Sequence, residues 1–208
     1  MLKTINYNII DIDERPTKAF VMIHGWRGNK DSFKSIPALL KLSNVRWYFP
    51  EAPYDFEDNE NQKTWAIKKS GEVWSADESK RLLFDFFENI VFKKFEPKDV
   101  YIMGFSQGAA VCYEFILSLN YSFGGIFPIA GFMVNPDSTA NINSIYENIP
   151  ILIGHGRDDD VVPLEASKNA FDVLSKTCKN IELFIYKGKH KIGLEYLKKV
   201  RNIIENIK

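Results

Sequence analysis

A serine lies between two glycines in Gly104-Phe105-Ser106-Gln107-Gly108, which matches the pattern G-x-S-x-G. A short apolar run precedes the pattern and an alanine-containing stretch of helical period follows it. In that setting the pattern forms a sharp strand-to-helix turn, which needs glycine on either side and lifts the serine hydroxyl off the sheet. The helix start adds unpaired N–H groups and a positive dipole end. These residues predict that Ser106 is a nucleophile for acyl transfer.

A serine hydroxyl needs a general base, and the chain has three histidines, His24, His155 and His190. Around such a turn the order along the chain is serine, acid, base. His24 precedes the serine, and His155 closes a strand before any acid has appeared. The order therefore favours His190, in the loop after the last predicted strand; a surface histidine in a basic loop is the alternative.

The acid is expected in the loop after the preceding strand, where Asp158, Asp159 and Asp160 are adjacent. Periodicity does not choose among them, and two of the three are free to be solvated or to cap the helix after Pro163. A buried aspartate bonded to the imidazole would hold its tautomer and stabilise the imidazolium.

The elements that must position these residues alternate between short apolar runs and segments of helical period. This pattern is typical of an α/β protein with a mostly parallel sheet covered by helices. The predicted strands are 18–24, 45–49, 100–105, 125–130, 151–154 and 181–186, with 7–12 as an antiparallel edge strand. The predicted helices are one that follows a capping box at Ser75–Glu78, then 107–119, 164–177 and 192–207. The polar stretch 54–69 is interpreted as a long loop.

The size and charge of the chain exclude several function classes. A length of 208 residues predicts one domain over 1–208 without a large lid domain. Twenty-seven basic and 27 acidic side chains cancel, so composition gives no support for nucleic acid as a partner. No apolar run approaches the roughly 18 residues of a spanning helix, and no signal peptide is recognisable, so a cytoplasmic location is expected. The two cysteines have no metal-ligand spacing, so we expect free thiols and no metal site.

Together these motifs resemble the phospholipase/carboxylesterase family of α/β-hydrolases, which includes acyl-protein thioesterases and small bacterial carboxylesterases. The resemblance extends over nearly the whole chain and rests on His24-Gly25, the serine motif, the segment from His155 to Pro163, and Gly188-x-His190. It implies an α/β-hydrolase fold, with helices on both faces of the sheet, and no cofactor. It also implies that Asp159 is the acid, with Asp160 as the second choice.

The oxyanion formed during acyl transfer needs aimed N–H donors. One is expected from the backbone of Gln107, and the resemblance implies that Trp26 supplies the other. Members of the family commonly have an aliphatic residue followed by glycine where this chain has Trp26-Arg27. The larger indole of Trp26 therefore either narrows the acyl pocket or turns outward. His24 in this motif is interpreted as a structural hydrogen-bonding residue rather than a base.

These residues predict a serine carboxylesterase for short-to-medium acyl esters, acting as a monomer or homodimer. The alternatives are an acyl-protein thioesterase, a lysophospholipase and, less favoured, an inactive binding module; a dienelactone-hydrolase-like enzyme with cysteine and a peptidase fit worse. Aromatic and apolar side chains expected near the rim are Trp26, Tyr54, Trp65, Trp74, Phe132 and Met133, of which Trp26, Trp65, Phe132 and Met133 are the predicted substrate contacts.

Overall fold

The centre of the molecule is a seven-stranded sheet, seen in a computed structural model that describes residues 4–57, 59–70, 73–134 and 142–206. The strands in chain order are β1 (Tyr7–Asp11), β2 (Lys18–Ile23), β3 (Val45–Pro50), β4 (Tyr54–Phe56), β5 (Asn59–Thr64), β6 (Ile67–Ser70), β7 (Val73–Ser75), β8 (Val100–Phe105), β9 (Gly125–Ile129), β10 (Ile151–Gly156) and β11 (Ile181–Tyr186). The order in the sheet is β1-β3-β2-β8-β9-β10-β11. Only the edge strand β1 pairs antiparallel within it, which confirms the mostly parallel sheet with an antiparallel first strand.

Helices cover both faces of this sheet. They are α1 (Ile36–Leu40), α2 (Asp77–Phe86), α3 (Gln107–Glu114), α4 (Leu164–Leu174) and α5 (Leu194–Asn206). One apolar cluster joins the strands to α2, α3 and α4, and a second joins the opposite face to α1 and α5. Because both faces are buried, the strands read as continuous apolar runs rather than alternating ones. The predicted α/β-hydrolase architecture is confirmed.

Helix boundaries agree with the sequence pattern except at a few ends. The helix predicted over 107–119 ends at Glu114, and a 3₁₀ turn (Ile116–Ser118) follows. The prediction of a capping box at Ser75–Glu78 was wrong. Ser75 belongs to β7, and Ala76 occupies the N-cap of α2 without a side-chain hydrogen bond. The Ser75 hydroxyl donates to the Asp77 carboxylate over 2.9 Å and accepts from the Asp77 N–H over 3.4 Å, so its contacts are to Asp77. The predicted end of the last helix at residue 207 lies outside the described residues.

The polar stretch 54–69 is not a structureless loop. It forms an antiparallel pair, β4 with β5, and then contributes β6, which pairs antiparallel with β7. The backbone N–H of Lys63 donates to the carbonyl of Gly28 over 2.9 Å, which ties this segment to the loop after β2. Its strands are mostly exposed, so they carry no apolar alternation from which pairing could be predicted.

Two further expectations concern the thiols and the membrane. Cys112 and Cys178 are buried and free, as expected. Within the described ranges, no helix has both the length and the apolar character needed to cross a bilayer.

Candidate active site

Ser106 occupies a strained turn between β8 and α3. Its backbone angles are φ 55° and ψ −116°, a conformation that side-chain-bearing residues rarely adopt. The Ser106 N–H donates to the carbonyl of Ile129 over 2.8 Å, and its own carbonyl accepts from the N–H groups of Ala109 and Ala110. Neighbouring sheet and helix therefore hold the residue in this conformation, as strained functional residues require.

The two glycines of the motif allow the turn because backbones pass very close there. A Cβ atom on Gly104 would lie 2.2 Å from the carbonyl oxygen of Gly108. A Cβ atom on Gly108 would lie 2.2 Å from the carbonyl oxygen of Ile23 in β2. These partners are backbone atoms that cannot move aside, so both positions require glycine.

Asp159 and His190, which follow β10 and β11, are brought together. His190 Nδ1 lies 2.8 Å from Asp159 Oδ2, and the other carboxylate oxygen accepts from the N–H groups of Val161 and Val162, each over 2.9 Å. Burial raises the pKa of the Asp159 carboxyl, but the hydrogen bonds from His190, Val162 and Val161 outweigh burial and leave the pKa below its ordinary value. An ionised carboxylate only accepts, so Nδ1 donates its proton to Asp159, and Nε2 is the ring nitrogen that is left to act as a base.

The other two aspartates of the run face solvent. Asp160 forms an ion pair with Lys189, with Oδ2 2.9 Å from Nζ, and its side chain is 59% exposed. Asp158 is also exposed. Of the three candidates, Asp159 alone contacts His190 within the described part of the chain.

His155 is buried beneath the acid loop. Its Nε2 lies 3.0 Å from the carbonyl oxygen of Val162, which accepts, and its Nδ1 lies 2.7 Å from the hydroxyl of Ser167. Burial lowers the pKa of His155, so the ring is neutral. Both ring nitrogens are occupied, which leaves none for chemistry at Ser106.

Ser106 and His190 lie at the same carboxyl edge of the sheet. The ring of Phe105, next to the serine, lies 4.7 Å from the His190 ring, centroid to centroid. Among the described residues neither the Ser106 hydroxyl nor His190 Nε2 forms a hydrogen bond. Such bonds are often long before substrate binds and tighten only in the complex.

The loop after β2 lies against the serine. A Cβ atom on Gly25 would lie 3.1 Å from the carbonyl oxygen of Phe105 and 3.2 Å from Ser106 Cβ. The next residue is Trp26, and Gln107 begins α3 on the other side. In the described loops and caps, the backbone N–H of neither residue has a protein acceptor, so both donors are free for an oxyanion.

His24 serves the fold rather than the reaction. Its Nε2 accepts from the Ala52 N–H over 3.0 Å, and its Nδ1 donates to the Gly25 carbonyl over 2.8 Å. Burial lowers the pKa of His24 to about 4, so the ring is neutral and both nitrogens are satisfied. This confirms the structural interpretation of His24.

The side chain of Gln107 has a function that the sequence pattern did not reveal. Its Oε1 accepts from the Trp65 N–H over 3.0 Å, and its amide donates to the Thr64 hydroxyl over 2.9 Å. The Trp65 indole N–H in turn donates to the His24 carbonyl over 2.8 Å. The end of β5 is thereby fastened to both sides of the serine turn, through contacts across more than forty residues that no local motif indicates.

An apolar groove of about 510 Å³ opens beside Ser106. Its walls come mainly from α2, α3, the β5–β6 connection and the acid loop, and its lining includes Trp26, Trp65, Trp74, Leu83, Val111, Phe132 and Val162. Trp65 is buried and Trp26 is half exposed, with its ring against Phe56. Met133 and Tyr54 do not line the groove, and Met133 packs partly buried against the larger core cluster. The structure thus places Met133 outside the groove lining, and its role as a substrate contact stays a prediction.

The residues that the structure describes contain no cluster of three or more His, Cys, Asp or Glu side chains able to hold a metal ion.

Comparison with known proteins gives one consistent result. The sequence profile described as phospholipase/carboxylesterase matches residues 5–208. A protein named acyl-protein thioesterase 1 from Debaryomyces hansenii is 27% identical over 93% of each chain. Carboxylesterase SOBER1 from Arabidopsis thaliana is 26% identical over 79% of this chain and 78% of its own. The crystal structure of esterase PE8 has a TM-score of 0.86 at 20% identity, covering 99% of this chain and all of that one, which shows a shared fold.

Proposed function

The chain belongs to the phospholipase/carboxylesterase family, and from this premise we propose that it is a serine carboxylesterase for short-to-medium acyl esters. The proposed catalytic triad is Ser106, His190 and Asp159. The observation that carries the proposal is the strained Ser106 turn, which opens into an apolar groove at the sheet edge where His190 contacts the buried Asp159.

In the first half of the reaction, Ser106 Oγ adds to the ester carbonyl carbon while His190 Nε2 takes the hydroxyl proton. The negative charge moves to the carbonyl oxygen, where the N–H groups of Trp26 and Gln107 stabilise it. When the tetrahedral intermediate collapses, the bond to the leaving oxygen breaks and His190 returns the proton to the departing alcohol. The acyl group is now esterified to Ser106.

In the second half, a water molecule gives its proton to His190 and adds to the acyl carbon. Collapse of the second tetrahedral intermediate breaks the bond to Ser106 Oγ, which regains the proton from His190, and releases the carboxylic acid. Asp159 holds the imidazole in the required tautomer and balances its charge in both halves.

The size and lining of the groove favour the acyl chain as the part of the substrate that binds there. Its volume of about 510 Å³ lies within the range of small-ligand pockets, and its lining is predominantly apolar. The groove follows α3 from Ser106 to Glu114, about 12 Å at 1.5 Å per residue. That length accommodates an acyl chain of medium length.

Acyl-thioester hydrolysis is the second candidate, because the relative from Debaryomyces hansenii that matches 93% of this chain is named a thioesterase. The same groove and triad would serve, with a thiol leaving in place of an alcohol. The cytoplasmic location, the monomeric or homodimeric state and the single-domain organisation stay predictions.

The test is hydrolysis of p-nitrophenyl acetate, butyrate, octanoate and palmitate, with the acyl thioesters of a small thiol as a second series. We expect the best kcat/KM at about two to eight acyl carbons, and a loss of several orders of magnitude in kcat in Ser106→Ala. Ser43→Ala, an exposed serine before β3, is the matched control. Comparable turnover in Ser106→Ala, or no ester turnover and no labelling of Ser106 by a fluorophosphonate, would contradict the proposal.

A further inference from the structure

Arg27, two residues after Gly25 in the loop beside the serine, has a backbone conformation that favours glycine. Its φ is 62°, in the left-handed region. Arginine has no short side chain that could bond locally to offset this strain. A residue strained in this way beside a candidate active site points to a function for its side chain.

Two aromatic rings hold the guanidinium of Arg27. Its central carbon lies 4.8 Å from the ring centroid of Trp26 and 4.4 Å from that of Phe56, and these two rings meet edge to face at 4.9 Å. Phe56 comes from β4, whose partner strand is tied to Gly28 through Lys63. The guanidinium is thus held by two cation–π contacts, and within the described residues no acceptor occupies its N–H groups, which are able to bind an anion.

No carboxylate neutralises Arg27 within the described part of the chain. Two ion pairs involve residues of the same segments: Lys30 with Glu51 at 3.0 Å, and Lys63 with Asp55. The guanidinium is exposed. Arg27 therefore carries a positive charge that no ion pair within the described part of the chain offsets.

The position of Arg27 selects one part of the substrate. Trp26 lines the groove that would hold the acyl chain, whereas Arg27 contacts the Trp26 ring and is not part of that lining. A substrate group bound by Arg27 would therefore lie outside the acyl groove. We propose that Arg27 is a specificity-determining residue that binds a phosphate or carboxylate on the alcohol or thiol side of the ester. This inference rests on the proposed function.

The test compares octanoyl esters of three alcohols with the same carbon skeleton: glycerol, glycerate and glycerol 3-phosphate. Release of octanoic acid is followed by titration at constant pH. We expect the wild-type protein to have a higher kcat/KM for at least one anionic ester than for the neutral one, mainly through a lower KM. Comparison of the glycerate ester with the glycerol 3-phosphate ester shows whether a carboxylate or a phosphate is preferred. The preference should decrease as salt is raised, because the contact is exposed.

Arg27→Gln keeps an unbranched polar side chain but removes the charge. We expect the ratio of kcat/KM for the anionic to the neutral ester to fall about 10- to 100-fold in this variant, the range of a hydrogen bond to a charged group. Arg27→Lys should retain part of the ratio. Arg15→Gln, an exposed arginine before β2, removes the same charge elsewhere and should leave the ratio unchanged.

Two results would overturn the inference: a wild-type protein without preference for either anionic ester, or an equal loss on all three esters in Arg27→Gln. Either result leaves the proposed function intact as long as the neutral ester is hydrolysed by the wild-type protein and not by Ser106→Ala. Failure of Ser106→Ala to abolish turnover would contradict the proposed function itself, so the two failures are distinguishable.

Discussion

Asp159 and Asp160 are adjacent in the chain but lie in opposite environments: the side chain of Asp159 is 0% exposed and contacts His190, whereas that of Asp160 is 59% exposed and pairs with Lys189. Only a buried carboxylate, with its hydrogen bonds supplied by the protein, can hold the imidazole in one orientation. The difference between these two neighbours leads directly to a paired mutational test.

Asp159→Asn should lower kcat about 10³- to 10⁴-fold on p-nitrophenyl butyrate, because an amide can donate to Nδ1 and so favour the wrong tautomer of His190. Asp160→Asn is the matched control and should lower kcat less than about threefold, since it loses only an exposed ion pair. Equal losses in the two variants would contradict the assignment of the acid to Asp159.

Gly108→Ala should destabilise the protein by about 2 kcal/mol or more, because the new Cβ atom would lie 2.2 Å from a carbonyl oxygen of β2. Gly188→Ala is the comparison, since its nearest atom is the flexible end of Lys191 at 3.4 Å. Urea unfolding of both variants gives the difference. A Gly108→Ala protein as stable as the wild type would show that the turn is not packed as described.

The free energy of unfolding should fall as the pH is lowered from 6.5 toward 4. His24 has an ordinary pKa of 6.5 in the unfolded chain and about 4 in the folded protein, so the unfolded state binds more protons in this window. Acidification through the window therefore favours unfolding, by about 3 kcal/mol in total from this residue. His155, whose pKa is also lowered, acts in the same direction.

Comparison with His24→Gln isolates the contribution of this histidine, because glutamine can accept from the Ala52 N–H but does not titrate. We expect a shallower pH dependence of urea unfolding in the variant. Identical slopes in the two proteins between pH 6.5 and 4 would argue against a neutral, buried His24.

Val111→Phe should shorten the acyl groove, since Val111 lines it one helical turn beyond Gln107. We expect kcat/KM for p-nitrophenyl octanoate to fall about tenfold or more while that for acetate changes little. Leu39→Phe, on an exposed position of α1, introduces the same side chain far from the groove. A uniform decrease across all chain lengths would mean that the acyl chain lies elsewhere.

Several features of this protein follow from the sequence alone because their causes are local. Buried parallel strands need apolar runs on both faces, so β2, β8 and β11 are recognisable within one residue of their ends. The serine turn needs Gly104 and Gly108 because any larger residue collides with backbone, so the motif and its context predict the sharp turn at Ser106. Helix α4, which follows β10, begins at Leu164, directly after Pro163, as its local pattern indicates.

Only the tertiary structure decided the features that depend on distant contacts. The local pattern of three consecutive aspartates does not distinguish them, and only the resemblance to the family favoured Asp159; its burial against His190 results from how the loops after β10 and β11 meet. The strands β5 and β6 are mostly polar, and the segment between them is held by the contact of Gln107 with Trp65, so the sequence indicated a loop over 54–69. The groove, and the cation that Trp26 and Phe56 hold beside it, likewise exist only where separate segments converge. Periodicity reports which side chains are buried within an element, but it carries no information about which elements face each other.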